Sequence, residues 1–180
     1  MRLSFYRGKL QAVSLAPEFF MFVRVVCLAA MLAVSGAALA DGAISALEAV
    51  RQSIERPHTP LEAQWIEMDV CGAGEDGAHG FLNSVRDYRS RDSLNVELLP
   101  TVRARLEQRL GGDPIAVLRG QRIAVFGPVR QVQINLYDGG VPRGRYYFQT
   151  QMRLASASHL EPLVSDTGEP LPARCGTLIV

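Results

Sequence analysis

Beyond residue 40 the chain contains no lysine, and its 15 basic side chains are all arginine. This absence reflects composition and carries no chemistry by itself. Cysteine is scarce as well. Of three in the chain, only Cys71 and Cys175 follow residue 40, and neither belongs to a Cys-x-x-Cys pair or a zinc-ligand spacing, which removes the sequence support for thiol redox catalysis and for a thiolate metal site. The three histidines, His58, His79 and His159, are scattered, and none has a serine, cysteine or carboxylate beside it in a nucleophile motif. The one acidic cluster, Glu75-Asp76, lacks the periodic oxygen ligands of a calcium loop. Without assembled acid, base and metal groups, the chain is expected to be non-catalytic, with no cofactor and no metal. No internal repeat or low-complexity stretch divides it.

A long apolar run occurs once, at residues 22–40, FVRVVCLAAMLAVSGAALA. Arg24 supplies a positive flank, residues 25–40 are uncharged, Ala38-Leu39-Ala40 is a small-residue cleavage pattern and Asp41 follows. This is the pattern of a secretory signal peptide, shorter than the roughly 20 apolar residues of a spanning helix. Met21 is an alternative initiator, which would make residues 1–20 an over-called start. Cys27 follows Val26 rather than a small residue, which rules out a lipoprotein signal. The expectation is cleavage near Ala40, no transmembrane segment in the mature chain, and a periplasmic or secreted location. The remaining 140 residues suffice for one domain. In an exported chain the two remaining cysteines read as a disulfide, Cys71–Cys175, with two free buried thiols as the alternative.

Charge is uneven along the chain. Residues 41–85 carry 2 arginines and 8 acids (−6), residues 86–153 carry 12 arginines and 6 acids (+6), and residues 154–180 add −2. A basic middle segment marks either a patch for an anionic partner or one half of an internal neutralisation.

Hydrophobic spacing supplies the elements. Ile44, Leu47, Val50 and Ile54 recur at helical intervals, predicting a helix over residues 43–56 that Asp41 caps and Pro57 ends. WIEMDV alternates, placing Ile66, Met68 and Val70 on one face of a strand over residues 64–71. The glycine-rich segment 72–80 reads as a turn, residues 81–84 and 94–99 as short strands, and Pro100 opens a helix that Gly111-Gly112 ends. Strands over residues 122–136 and 145–154 flank the hairpin-like YDGGVPRG.

The strand QRIAVFGPVRQVQINL carries Gly127-Pro128 at its centre, where both residues are usually excluded. Its apolar residues sit at odd positions up to Val129 (Ile123, Val125, Val129) and at even positions from Val132 (Val132, Ile134, Leu136), a change falling between residues 127 and 132. Because side chains alternate with period 2, this change of side implies a bulge or kink, as at the corner of a small barrel.

The order of three strands, a helix and two strands, with a glycine-marked bend in the fourth strand, resembles the OB-fold, a five-stranded Greek-key barrel. The stretch LRGQRIAVFG, residues 118–127, is similar to the entry into the fourth strand of small exported bacterial OB-fold domains. The fold class expected is therefore mainly β with two helices, an OB-like barrel over residues 61–155. A signal peptide over residues 1–40, a helical segment over 41–60 and a tail over 156–180 flank it.

The resemblance implies a ligand face between the first and last barrel loops, here residues 72–80 and 137–144. Arg143 and Arg145 lie at the second loop, opposite Glu75 and Asp76, with which they either pair or share a polar substrate. Tyr147, Gln149, Gln151 and Arg153 alternate on the last strand, and with Arg130, Gln133 and Asn135 they form a donor-rich face. The loop NSVRDYRSRDS contains Asp87, Tyr88, Arg89 and Arg91 within five positions. Arginine, amide and tyrosine suit phosphate, sugar or single-stranded nucleic acid. The reading is an exported binding module for a polar or anionic ligand. Its alternatives are an envelope protein-interaction or structural module, docking through the N-terminal helix or the tail, and a metal-dependent nuclease using Glu75 and Asp76. Nothing in the sequence sets the oligomeric state.

Overall fold

A computed structural model describes residues 42–176 of the chain, leaving the signal-peptide reading and the apolar end Leu178-Ile179-Val180 outside the described residues. The protein is mainly β. In chain order the elements are β1 (Ile44–Ser45), α1 (Ala46–Glu55), β2 (Leu61–Asp69), β3 (Gly72–Asp76), β4 (His79–Asn83), β5 (Leu94–Leu98), α2 (Pro100–Leu110), α3 (Pro114–Leu118), β6 (Arg122–Asp138), β7 (Val141–Leu154) and β8 (Leu160–Pro162). Eight strands form one curled half-barrel sheet in the order β1-β2-β6-β7-β5-β4-β3, with β8 also on β6. Most pairings are antiparallel, whereas β1–β2 and β5–β7 are parallel.

Alternation fixes what the sheet hides. Ile66 and Met68 of β2, Leu82 of β4, Leu94, Val96 and Leu98 of β5, Ile123, Val125 and Val129 of β6, and Met152 and Leu154 of β7 point inward and are buried together. Each of these side chains contributes about 1.5–3 kcal/mol when removed from water. From α2, Val102 and Leu106 join the same core, and Gly111 ends that helix in the left-handed region at φ 73°. A third helix, α3, was not foreseen. Asp113 caps it through Ile115 N and Pro114 opens it, both ordinary start signals.

At the N-terminus the helix is shorter and rotated. Ser45, not Asp41, accepts from Glu48 N at 3.2 Å, giving a Ser-x-x-Glu start. Ile44 is drawn out of the helix into a two-residue pairing with Ile66, and the small residues Ala46, Ala49 and Ser53 face the sheet with Val50. Leu47, expected inside, is 43% exposed. Small side chains let a helix approach a sheet closely, which favours this face over the bulkier one.

Segment 72–80 is also corrected. It is not a loop but β3 and the start of β4, paired from Gly72↔Asn83 to Asp76↔His79, with only Gly77 and Ala78 turning. Glycine eases a close approach at Gly72, since a Cβ there would lie 3.1 Å from the Val85 carbonyl oxygen and 3.2 Å from that of Arg86. The run through β2 and β3 changes partner at its middle. Up to Asp69 it pairs with β6, and from Cys71, whose N–H donates to Asn83 O at 2.9 Å, it lies on β4.

The change of inward side expected in β6 near Pro128 is not found: the strand keeps its alternation, with Ile123, Val125 and Val129 in the core and Val132 and Ile134 on the outer face. Its pairing with β7 runs from Val129↔Met152 to Asn135↔Tyr146 without a shift, and the extra residue lies on β2, between Leu61↔Val129 and Gln64↔Gly127. β6 pairs with β2 and β8 up to Val129 and with β7 from Val129 onward. Pro128, exposed, falls at this exchange, where its missing N–H breaks no ladder. Beyond it, β6 and β7 continue as a two-stranded hairpin closed by Gly139 and Gly140, both at positive φ, as a two-residue type I′ turn requires.

The tail is part of the fold. Leu160 is buried and pairs with Val125 through β8, and Arg122 N donates to Leu171 O at 2.8 Å while Ala173 N donates to Gly120 O at 2.7 Å. The Cys71–Cys175 disulfide is present, joining the β2–β3 junction to the tail. No helix among the described residues is long and apolar enough to cross a membrane.

Candidate functional site

The outward residues of the sheet are polar where it faces the loop of residues 84–93. Phe81 and Asn83 of β4, Asn95 of β5 and Tyr147, Gln149 and Gln151 of β7 alternate with inward core residues, so strand period alone places them on one surface. They line a cleft of about 500 Å³ with Gly74, Glu75 and Asp76 of β3, Ile134 of β6 and Tyr88 of the loop.

Hydrogen bonds hold much of this lining in place. Gln149 Nε2 donates to Tyr88 O at 3.3 Å and to Tyr147 Oη at 3.1 Å, and Gln151 Nε2 donates to Gln149 Oε1 at 2.8 Å. Ser93 Oγ donates to Asn95 Oδ1 at 3.1 Å. Asn83, only 8% exposed, makes no side-chain hydrogen bond among the described residues. A nearly buried amide in a cleft wall without a partner is a standing donor and acceptor for a ligand. Burial, with the neighbouring Tyr88 phenol adding to it, pushes the Tyr147 hydroxyl above its usual value, so it remains a proton donor at neutral pH.

Of the residues expected to bind, Tyr147 and Gln149 are in the cleft and Arg89 and Arg91 lie beside it. Arg89 and Arg91 line an adjoining recess of about 390 Å³ with Gln131, Tyr147 and Phe148. Arg130 is exposed on the same face, opposite Gln151, but does not line the cleft, and neither does the exposed Arg145. The side chain of Arg143 lies outside the described residues. Gln133 and Asn135 do not belong to this face. They pair with Phe148 and Tyr146, and Gln133 Nε2 donates to Asn135 Oδ1 at 2.8 Å. Because β6 runs through this region without a bulge, its odd residues keep to the opposite side from Tyr147. The β6–β7 turn does not border the cleft either, and Tyr88 and Ile134 supply that wall instead.

Arg153 is committed to Glu97, donating Nε to Oε2 at 2.8 Å, and Glu97 Oε1 is 2.8 Å from His79 Nδ1. Burial raises the Glu97 carboxyl, but the hydrogen bonds from Arg153 and His79 outweigh it and leave the group below its ordinary value of 4.5. A depressed carboxyl stabilises the fold fully above the unfolded value and loses that contribution as pH falls through the folded one. Glu97→Gln should therefore lower the urea midpoint at pH 7, with the difference from wild type closing below about pH 4.5. A difference that stays constant down to pH 3 would contradict the pairing.

Glu75 pairs with Arg103 of α2 at 2.8 Å, and Arg122 reaches Glu67 at 3.1 Å. The acidic and basic segments thus neutralise each other in part, and Glu75 is joined to α2 rather than to the β6–β7 hairpin. Among the described residues no group of three histidine, cysteine or carboxylate side chains is placed to hold a metal ion. No protein-family model matches the chain, and no curated protein matches it.

Proposed function

We propose that residues 42–176 form an OB-like binding module whose outer-face cleft takes a polar, sugar-like ligand. The OB-like reading rests on treating β2 and β3 as one bent strand. The order is then a bent strand, β4 and β5, helix α2, and the β6–β7 pair, with β5 parallel to β7. In such barrels the outer face of the second and third strands is the usual ligand surface, and Phe81, Asn83 and Asn95 stand there. The observation that carries the functional reading is the convergence of four amides, Asn83, Asn95, Gln149 and Gln151, with the rings of Phe81, Tyr88 and Tyr147 around one open cleft. Rings stack on apolar sugar faces and amides bond hydroxyls in both directions. The disulfide and the N-terminal apolar run together support export to an oxidising compartment.

The test is a calorimetric titration with chitotetraose, soluble peptidoglycan fragments and a single-stranded thymidine oligonucleotide. Because the cleft lining is largely uncharged, binding of the neutral glycan should change little between about 50 and 200 mM salt, whereas phosphate-driven binding falls steeply over that range. Asn83→Ala and Tyr147→Ala should each weaken the glycan. Binding to the oligonucleotide alone, or a glycan affinity indifferent to both substitutions, would end this reading.

A second reading, docking to an envelope protein, is favoured by one feature. Tyr137, Val141, Tyr146 and Phe148 are exposed on the β6–β7 hairpin, with Tyr146 and Phe148 edge to face at 5.6 Å. The described part of the tail is paired along the sheet at residues 160–163 and 171–173, whereas the hairpin presents these rings to solvent.

A further inference from the structure

We infer that the recess between Arg89 and Arg91 is an oxyanion subsite, and that the ligand of the neighbouring cleft carries a carboxylate or phosphate next to the unit stacked on Tyr147. The inference rests on the cleft reading for its second half only; the anion subsite stands on its own residues.

Three observations lead there. First, neither cation is committed to an ion pair, Asp87 adding only a weaker attraction to Arg89. Arg103, Arg109, Arg122, Arg153 and Arg174 each have a carboxylate partner, whereas neither Arg89 nor Arg91 forms an ion pair among the described residues. Two guanidinium groups line one hollow of about 390 Å³, so an anion entering it would meet both. Second, the site is held in shape. Arg89 Nε donates to Tyr88 Oη at 3.0 Å with its guanidinium carbon 5.2 Å from the Tyr88 ring centroid, and Arg89 N donates to Asp87 Oδ1 at 3.0 Å. Tyr88 O in turn accepts from Gln149, so the loop bearing the arginines is tied to the cleft lining. With Nε on Tyr88 and the guanidinium also interacting with the Tyr147 hydroxyl, Arg89 is held at the edge shared with the cleft. Third, Tyr147 lines both spaces. A ligand resting on that ring reaches the amides on one side and the guanidinium pair on the other.

Other charged features carry less. Arg130 and Arg145 line neither of these two spaces, and the carboxylates of the cleft include Glu75, which is already paired. An anionic group is therefore directed to the arginine end.

The experiment uses the ¹⁵N-labelled protein as recovered from producing cells and begins with inorganic phosphate as probe. Saturable shifts at Arg89, Arg91 and Tyr147 are expected, and they should vanish in the Arg89→Gln/Arg91→Gln variant. Shifts that survive in that variant, or none in the wild type, would overturn the subsite. Trigalacturonate and its methyl ester are compared next, with glucose 1-phosphate set against glucose to separate a phosphate from a carboxylate source. One charge-assisted contact predicts roughly a tenfold preference for the acid over the ester, lost in the double variant while ester affinity stays. Equal binding of acid and ester would refute the link between the two spaces. Phosphate binding with no sugar binding would leave the anion subsite standing and remove the sugar cleft.

Discussion

Removing the Cys71–Cys175 bond, by reduction or by Cys71→Ala with Cys175→Ala, should lower the free energy of unfolding by about 4–5 kcal/mol, the chain-entropy value for a loop near 100 residues. The two cysteines are 104 residues apart, so the bond constrains most of the unfolded chain from β3 onward. What it joins adds to the effect. Cys71 sits where the chain leaves β6 for β4, and the tail it secures runs beside the turn into β6, with Arg174 N donating to Asp69 Oδ1 at 3.1 Å. Those contacts are near the surface and would fray without the covalent tie. Urea unfolding with and without reductant reads the effect. A shift below about 0.5 kcal/mol, the size of an ordinary surface change, would mean that the tail holds itself in place.

The second large effect contrasts two neighbours on one strand. Leu82 of β4 is fully buried and Asn83 beside it lines the cleft. Leu82→Ala should cost roughly 2–5 kcal/mol, through lost transfer energy and the cavity left behind. It should leave ligand affinity near wild type in whatever fraction remains folded. Asn83→Ala should do the reverse, weakening binding with a much smaller loss of stability, because among the described residues the amide it removes has no side-chain partner to strand. Denaturation and calorimetry on both variants check the pair. Equal effects on both quantities would contradict the sidedness of β4.

How far the sequence foretold this arrangement depended on whether period or contact decided each element. Ile66, Met68 and Val70, the short strand 94–98 and the Pro100 helix were legible because alternation, proline and the Gly111 stop act locally. The inward side of the N-terminal helix was not, since its fit to the sheet chose Ala46, Ala49 and Ser53 over the more hydrophobic Leu47. Glycine density in residues 72–80 signalled a turn where close packing against residues 85–86 instead favoured a strand without side-chain bulk.

The change of the inward side expected in β6 does not occur: Ile123, Val125 and Val129 are in the core, while Val132 and Ile134 keep the strand's alternation and face the outer cleft side. A partner exchange leaves the same sequence trace as a bulge, and only the pairing of β2 tells them apart. At the candidate site, the alternation of Tyr147 and Gln149 marked the outer face, but joining Gln133 to it required a bulge that β6 does not have. Asn83 and Asn95 were missed although the signal was present. Each is an amide at an outward position just after an inward leucine, Leu82 or Leu94, in strands too short to draw notice by composition.

The claim on which the functional account depends is that the outer sheet face, and no other surface, receives the ligand. Backbone shift mapping during titration with soluble peptidoglycan fragments tests it most directly. The account predicts changes concentrated at Asn83, Asn95, Tyr147, Gln149 and Gln151. Changes confined to the tip of the β6–β7 hairpin or to the tail would contradict it.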